Sequence, residues 1–322
     1  MMSTSTTSWK QCMRAGGPAS AVVVLVVVKG AVLAGTGTGL LRASLPVTGP
    51  DWESPDGPPT SNDHIIDDMN VWADDPPLVW RTERVGWRCA VKRSEDAGMT
   101  WQASGSWPES IFAIHIHPLN PDRVMHSFGY VNNNGVEVLG VRTTSDGGDS
   151  WEEHDHGRYY LDLVADPNDP DGNSVWMASH TNGLYRSGDF GSSWTVMTTH
   201  EANAVHFAGS RLLIGGDTIR YSDDDGTTFH AARIEGHDGP LRVVAFAQHN
   251  DVLFAASSSA SYPGDTAPIT AAGVLQSRDS GKTWTDASAG LPMRDVRTLA
   301  VDPGQPCLFA GLSDGSVHQL AL

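Results

Sequence analysis

An eight-residue signature recurs along this chain and constrains its fold more than any other feature. It reads Ser-x-Asp-x-Gly-x-Thr-Trp at residues 277–284 and at 94–101, and Ser-x-Asp-x-Gly-x-Ser-Trp at 187–194. Close variants occupy residues 144–151 and 222–229, the last ending in Phe229. An aspartate, a glycine and a terminal aromatic at fixed offsets suit one local structure, a tight turn between two strands. The carboxylate accepts backbone N–H bonds inside the turn, and the glycine supplies a positive φ. The aromatic then opens the next strand and can bury its ring against a neighbouring unit. Asp96, Asp146, Asp189, Asp224 and Asp279 are therefore read as structural, with Trp101, Trp151, Trp194, Phe229 and Trp284 as their packing partners. Repeats spaced by tens of residues belong to solenoids or propellers.

The segments between the signatures choose between these. Each repeat begins with an apolar strand that often ends at Asp-Pro or His-Pro. A second short apolar strand follows, and a third runs into the turn. Residues 160–197 show the whole script: YLDLVADP, SVWMAS, GLYRS, the signature, then a strand from Trp194. Four short antiparallel strands per unit describe a propeller blade. Each blade buries its faces only by stacking on the next.

Residues 21–28 (AVVVLVVV) are too short for a membrane span, which needs about 20 apolar residues, and Lys29 interrupts them. A signal-peptide core is one reading, because Lys10 and Arg14 precede the run and small residues follow it. A buried strand is the preferred one, because residues 31–35 and 39–44 then supply the second and third strands of a first blade. At the far end, residues 296–303, 307–312 and 316–322 give three strands before the chain stops. The missing fourth is assigned to residues 7–11 around Trp9. The aromatic positions Trp9, Trp52, Trp101, Trp151, Trp194, Phe229 and Trp284 then go round the ring once, at intervals of roughly 35 to 55 residues. The expected fold is a single all-β propeller over residues 1–322, with seven four-stranded blades and the N-terminal strand closing the last. Six and eight blades remain alternatives, because the first two blades lack good signatures.

The chain carries 38 acidic residues against 21 Lys plus Arg, a formal net charge of −17, and only four lysines (Lys10, Lys29, Lys92 and Lys282). Two sources fit this balance: a halophilic cytosol, or a GC-rich genome in which Arg replaces Lys. Neither leaves a positive field for phosphate backbones, so nucleic acid is excluded as a partner. The three cysteines, Cys12, Cys89 and Cys307, lie far apart and form neither a disulfide framework nor a zinc motif. The sequence contains no HExxH, GxSxG or Walker pattern. The glycine-rich run at residues 35–39 joins two strands, where a phosphate loop would need a following helix.

The signature, the Gly-Leu-Tyr-Arg-Ser lead-in and the Asp-Pro strand ends together resemble the BNR or Asp-box repeat propellers. That superfamily includes sialidases, xyloglucan-degrading glycoside hydrolases, sortilin-type receptors and photosystem II assembly-factor-like proteins. The resemblance covers essentially the whole chain and implies the fold. It does not imply one function, because function resides in the site and not in the scaffold. Sialidases share an early Arg-Ile-Pro motif, which this chain lacks.

Strand order places the signatures on one face. The loops between second and third strands, and the links between blades, lie on the opposite face, where propeller ligands usually bind. That face is expected to carry Arg81, Glu83, Arg84, the 129–135 loop, residues 152–159 with His154, His156 and Arg158, then His180, His200, Glu201, His237 and Asp238. The long loop with Tyr262, and then Arg294 and Asp295, complete it. Long loops on a rigid scaffold are common binding elements. His154 and His156 alternate along an extended segment and would share a side, so with His180 they form a weak candidate metal set. The plainer reading is solvated loop histidines, with no cofactor. His115 and His117 are expected in the core and in a turn. A glycosidase would need two carboxylates ~5–10 Å apart, and Glu83, Glu152, Glu153, Asp155, Glu201, Asp238 and Asp295 are eligible. The favoured expectation is a soluble, monomeric, cytoplasmic binding or assembly scaffold for a protein or carbohydrate. A carbohydrate hydrolase, a metal-binding propeller and, through the signal-peptide reading, an exported protein are the alternatives.

Overall fold

The computed structural model describes residues 8–13, 21–50, 52–57, 64–74, 76–157, 161–260 and 268–322. It is a seven-bladed β-propeller of antiparallel sheets. Blade one has three strands, Val22–Val28, Ala31–Thr36 and Gly39–Ser44. Blade two runs His64–Asp74, Pro77–Val85, Arg88–Ser94 and Gln102–Trp107, and blade three Ile114–Ile116, Val124–Val131, Glu137–Thr144 and Glu152–Asp155. Blade four is Asp162–Ala165, Val175–Ser179, Gly183–Ser187 and Thr195–Thr198. Blade five is Ala204–Ala208, Arg211–Gly215, Ile219–Ser222 and His230–Ala231. Blade six comprises Val243–His249, Val252–Ser257, Gly273–Ser277 and Thr283–Asp286. Blade seven, Val296–Asp302, Cys307–Leu312 and Val317–Ala321, takes its outermost strand, Lys10–Met13, from the N-terminal region.

Ring closure follows the expected scheme in a shifted register. Lys10 pairs with Gln319 and Gln11 with His318, a few residues further on than the 7–11 assignment, of which Thr7 lies outside the described residues. Trp9 fills the aromatic position ahead of this strand. Its indole donates to the Ala287 carbonyl of blade six at 2.8 Å, and its ring is buried in the core shared by blades six and seven. Trp52 does the same one blade later, donating to the Cys12 carbonyl at 3.0 Å. Blade one departs from the plan. Its outer strand is reduced to a single bridge between Arg42 and Glu53. Blade six gains what blade one lacks, because Arg233–Ile234, in the link from blade five, adds a parallel strand beside Thr283 and Trp284.

All five signature turns share one geometry. In the turn at residues 94–101 the Ser94 hydroxyl donates to Asp96 Oδ1 at 2.8 Å and accepts the Gly98 N–H at 2.9 Å. Asp96 then accepts the Thr100 N–H at 2.8 Å and the Thr100 hydroxyl at 2.6 Å. The same set recurs around Asp146, Asp189, Asp224 and Asp279. The hydroxyl of Thr228, with its N–H, holds the Asp224 carboxyl down to about 2, and Ser150 depresses Asp146 in the same way.

Two successive residues of each turn are left-handed. Before the glycine stand Ala97, Gly147, Phe190, Asp225 and Ser280, with φ between 54° and 71°. The glycine itself also presses on the preceding blade: a Cβ on Gly281 would lie 2.6 Å from Leu213, and one on Gly98 2.8 Å from Leu33. The turn thus fastens blade to blade as well as strand to strand.

Candidate functional site

A channel runs down the axis. All seven blades line it, among them Val24, Asp68, Phe112, Asp162, Val205 and Thr298, around a cavity of about 460 Å³. The apolar run of residues 22–28 is the channel-lining strand of blade one. Three side chains in the channel act as clasps between neighbouring blades. Asp68 Oδ2 accepts the Ile114 N–H at 2.9 Å, Asp162 Oδ2 accepts the Val205 N–H at 2.9 Å, and Thr298 Oγ1 accepts the Leu25 N–H at 3.1 Å. Each acceptor sits on one innermost strand and each donor on the next. Asp68 and Thr298 follow a bulge in their strands, which turns the side chain along the ring instead of into a sheet face.

Burial pushes the Asp68 carboxyl up to about 8, and Asp67 and Asp162 up to about 6 each. The nearest cations compensate little: Arg84 stands 3.9 Å from Asp67, and Arg297 pairs with Asp295. None of these three acids was among the expected site residues. Their signal is visible in the sequence only in retrospect, as carboxylates at positions of an innermost strand that other blades fill with Val24, Ala245 or Thr298.

The residues expected on the face opposite the signature turns are distributed differently. Arg81 and Glu83 were placed at its surface, but blade two's second strand continues to Val85 and carries both inward. Arg81 is 0% and Glu83 3% exposed. The Arg81 guanidinium makes two bonds of 2.9 Å to Asp56, reaches Glu83 at 2.5 Å, and lies 4.3 Å over the Trp101 ring. Glu83 also meets Lys92 at 2.6 Å and His64 at 3.3 Å. Burial opposes its ionisation, but His64, Arg81 and Lys92 together outweigh burial and hold it down to about 2. Arg84 points to the other side of the strand and keeps a side chain 41% exposed.

His154 lies in a strand paired with Val141, its ring 3.1 Å from the Thr143 hydroxyl. His156 stacks beside it at 6.3 Å and meets the Gly191 carbonyl of the blade-four turn at 3.0 Å. His180 is buried in the connection between the second and third strands of blade four, 2.7 Å from Asn203 and 3.6 Å from Glu201. His200 packs edge-on to Phe229 at 6.5 Å. His237 and Asp238 lie in the link to blade six. Arg294 pairs with Asp286 at 2.7 Å, while Asp295 binds the Ser258 and Ser259 hydroxyls at 2.8 and 2.6 Å. Arg158 and Tyr262 lie outside the described residues.

His154, His156 and His180 are therefore not brought together as a metal set. Among the described residues, only Asp56, His64 and Glu83 bring three potential ligand atoms within 4.8 Å of one another. Arg81 and Lys92 already occupy that cluster as its cations. His115 is buried, as expected, and His117, expected in a turn, is buried as well; their rings lie 6.2 and 5.0 Å from Phe190, and burial drives the His115 imidazole down to about 4.

No protein-family model matches the chain, and no curated protein matches it in sequence. Solved structures match its fold. The GH74 xyloglucanase from Xanthomonas campestris superposes with a TM-score of 0.69 at 15% identity, over 97% of this chain and 53% of that one. This chain thus spans about half the length of the xyloglucanase. YCF48 from Cyanidioschyzon merolae gives a TM-score of 0.67 at 14% identity, over 97% of this chain and 98% of that one. YCF48 bound to D1 peptide gives the same TM-score and identity, over 98% and 97%. At these identities the likenesses show the fold alone, a β-propeller. No helix among the described residues is long and apolar enough to cross a membrane.

Proposed function

We propose that this chain is a non-catalytic binding propeller whose partner is a polypeptide, received on the face opposite the signature turns. The observation that carries this reading is the fate of four of that face's seven eligible carboxylates, the other three, Glu152, Asp155 and Asp238, being exposed. Glu83 is consumed by Arg81, Lys92 and His64, Glu153 by Arg142, Glu201 by Asn203 and His180, and Asp295 by Ser258, Ser259 and Arg297. Each of the four is engaged by the scaffold's own side chains, whereas a glycosidase needs one carboxyl free to protonate and one free to attack or to activate water. A fold neighbour seen bound to a peptide, YCF48 with D1 peptide, supports the same reading.

One observation favours a second reading, a carbohydrate hydrolase. The channel acids Asp67, Asp68 and Asp162 are raised towards the range of a general acid. Two of them, however, already clasp backbone N–H groups.

The deciding experiment has two arms. In one, the protein is cross-linked in extract from its own source, and the captured partner is purified and mixed back with it. In the other, the protein is assayed for release of reducing ends from xyloglucan and other oligosaccharides. A stoichiometric complex with the purified partner and no cleavage supports the scaffold. Cleavage that disappears in Asp162→Asn overturns it in favour of the hydrolase.

A further inference from the structure

The two tallest hairpins of the ring stand side by side. In blades two and three the second and third strands are seven to nine residues long, where the other five blades use four to six. Their tips, at residues 86–87 and 132–136, rise on the face opposite the signature turns. The turns themselves are Gly-Trp and Asn-Asn-Asn-Gly-Val, and large apolar side chains stand at and beside them. Val85 is 52% exposed, Trp87 71%, Val131 67% and Val136 56%, and they make up four of the nine large hydrophobic side chains left exposed among the described residues. Isolated exposed hydrophobes need no explanation, but clustered ones mark an interaction surface.

Between the hairpins lies a groove of about 410 Å³, walled by Arg84, Trp87, Phe112, Tyr130 and Val131. Its charge points to the occupant. The chain carries a net charge of −17, yet two guanidinium groups, those of Arg84 and Arg88, flank the tip of the blade-two hairpin. Arg84 has only Asp67, at 3.9 Å, as a partner acid. Arg88 lies 5.1 Å over the Trp87 ring and has no carboxylate partner among the described residues. Two acids also line the groove: Glu109 is paired with the buried Arg142, and Glu137 stands on the blade-three wall, so the positive charge is confined to the blade-two wall. An exposed indole flanked by under-compensated arginines suits an apolar side chain with a carboxylate beside it.

We propose that this groove binds an extended segment of a partner polypeptide, with an apolar side chain set against Trp87 and Tyr130 and a neighbouring carboxylate against Arg84 and Arg88. The proposal rests on the polypeptide-binding reading above and gives it an address and a chemistry.

The test uses the full chain and a display library of short random peptides as the probe. The strongest selected peptide is synthesised and titrated against wild type, Trp87→Ala, an Arg84→Glu/Arg88→Glu double variant and Leu119→Ser. Leu119 is an exposed hydrophobic side chain outside the groove and serves as the control. Trp87→Ala and the double variant change side chains at the surface, and circular dichroism verifies that each stays folded. The expected result is that selected peptides place Asp or Glu next to an apolar residue. Affinity is expected to fall at least about tenfold in Trp87→Ala and in the double variant and to hold in Leu119→Ser, the scale of losing one interface anchor. Peptides that bind all four proteins equally overturn the groove while leaving the polypeptide reading standing. Failure to enrich any peptide over an unfolded control overturns both. A concentration-dependent dimer that Trp87→Ala dissolves overturns the proposal by making the occupant a second copy of the chain.

Discussion

Asp68 on blade two and Ile114 on blade three are joined by a hydrogen bond of 2.9 Å from the Ile114 N–H to the Asp68 carboxyl, across the seam where two sheets meet at the channel. No strand ladder crosses that seam, so a side chain supplies the acceptor that the backbone otherwise lacks. The same solution recurs with Asp162 and Val205, and with Thr298 and Leu25. The neutral Thr298 shows that the clasp requires an acceptor and not a charge.

That difference gives a pH-dependent prediction. Burial raises the Asp68 carboxyl from 3.8 to about 8 in the folded chain. Between these values the unfolded chain is ionised while the folded chain keeps its proton, so the folded state binds more protons and stability falls as pH rises through this window. Asp68→Asn keeps an acceptor for Ile114 and removes the titration. Thermal unfolding is expected to show the variant more stable than wild type at pH 8, by on the order of 1 to 3 kcal/mol, with the gap closing towards pH 4. An equal difference at both pH values would show that Asp68 does not titrate in this window.

The signature turns should be intolerant at the glycine and tolerant one residue after the serine. Gly281 has φ 86°, and a Cβ there would meet Leu213 at 2.6 Å. Gly188 has nothing within 4 Å of its Cβ position. Gly281→Ala combines left-handed strain with overpacking and is expected to cost about 2 to 4 kcal/mol. Gly188→Ala should stay within about 0.5 kcal/mol of wild type. Urea denaturation of both variants checks this, and similar midpoints would contradict the blade-to-blade role of the turn.

The ring was legible in the sequence because each fastener leaves a local mark. Trp9 and Trp52 sit at aromatic positions even where the rest of the signature has decayed, and both donate their indole N–H to the preceding blade. The site was less legible because strand length is not a local property. Arg81 and Glu83 read as loop residues until the hairpin proves long enough to hold them within a strand, after which alternation turns both inward. Asp68 and Asp162 were missed for a related reason. A carboxylate in an apolar strand is a surface residue in most settings, and only the closed ring makes its neighbour another blade. The parallel strand Arg233–Ile234 carries no period or turn chemistry that marks it as part of blade six.

Arg81 is fully buried and joins Asp56 and Glu83 in one ion-paired cluster. Arg81→Leu would leave Asp56 and Glu83 without their shared cation, and the expected loss is about 3 to 5 kcal/mol. Glu83→Gln tests the pH arm. Its carboxyl is held at about 2 in the folded chain against 4.5 unfolded, so its contribution is present above pH 4.5 and lost as pH falls towards 2. Unfolding followed from pH 6 to pH 2 should therefore show a shallower loss of stability in Glu83→Gln than in wild type, from a lower starting value. Parallel curves would mean that Glu83 makes no net contribution through its charge.

The strand Lys10–Met13 makes the ring a closed object. It covers the outer edge of Val317–Ala321, and Trp9 ties it to blade six through Ala287, with Gly290 so close that a Cβ there would lie 3.1 Å from the Trp9 backbone nitrogen. Trp9→Ala removes a buried ring and an anchoring hydrogen bond, for an expected cost of about 3 to 5 kcal/mol. Removal of residues 1–13 should do something different in kind. It bares the ladder of Val317–Ala321, and an unpaired strand edge is a template for another chain. Light scattering on the truncated protein is expected to show concentration-dependent self-association, with the Trp9→Ala ring, still strand-paired, staying at the mass of wild type. If the truncated chain kept the wild-type mass and melting temperature, closure by the N-terminal strand would be dispensable, and the clasps in the channel, with the turn glycines, would be holding the ring unaided.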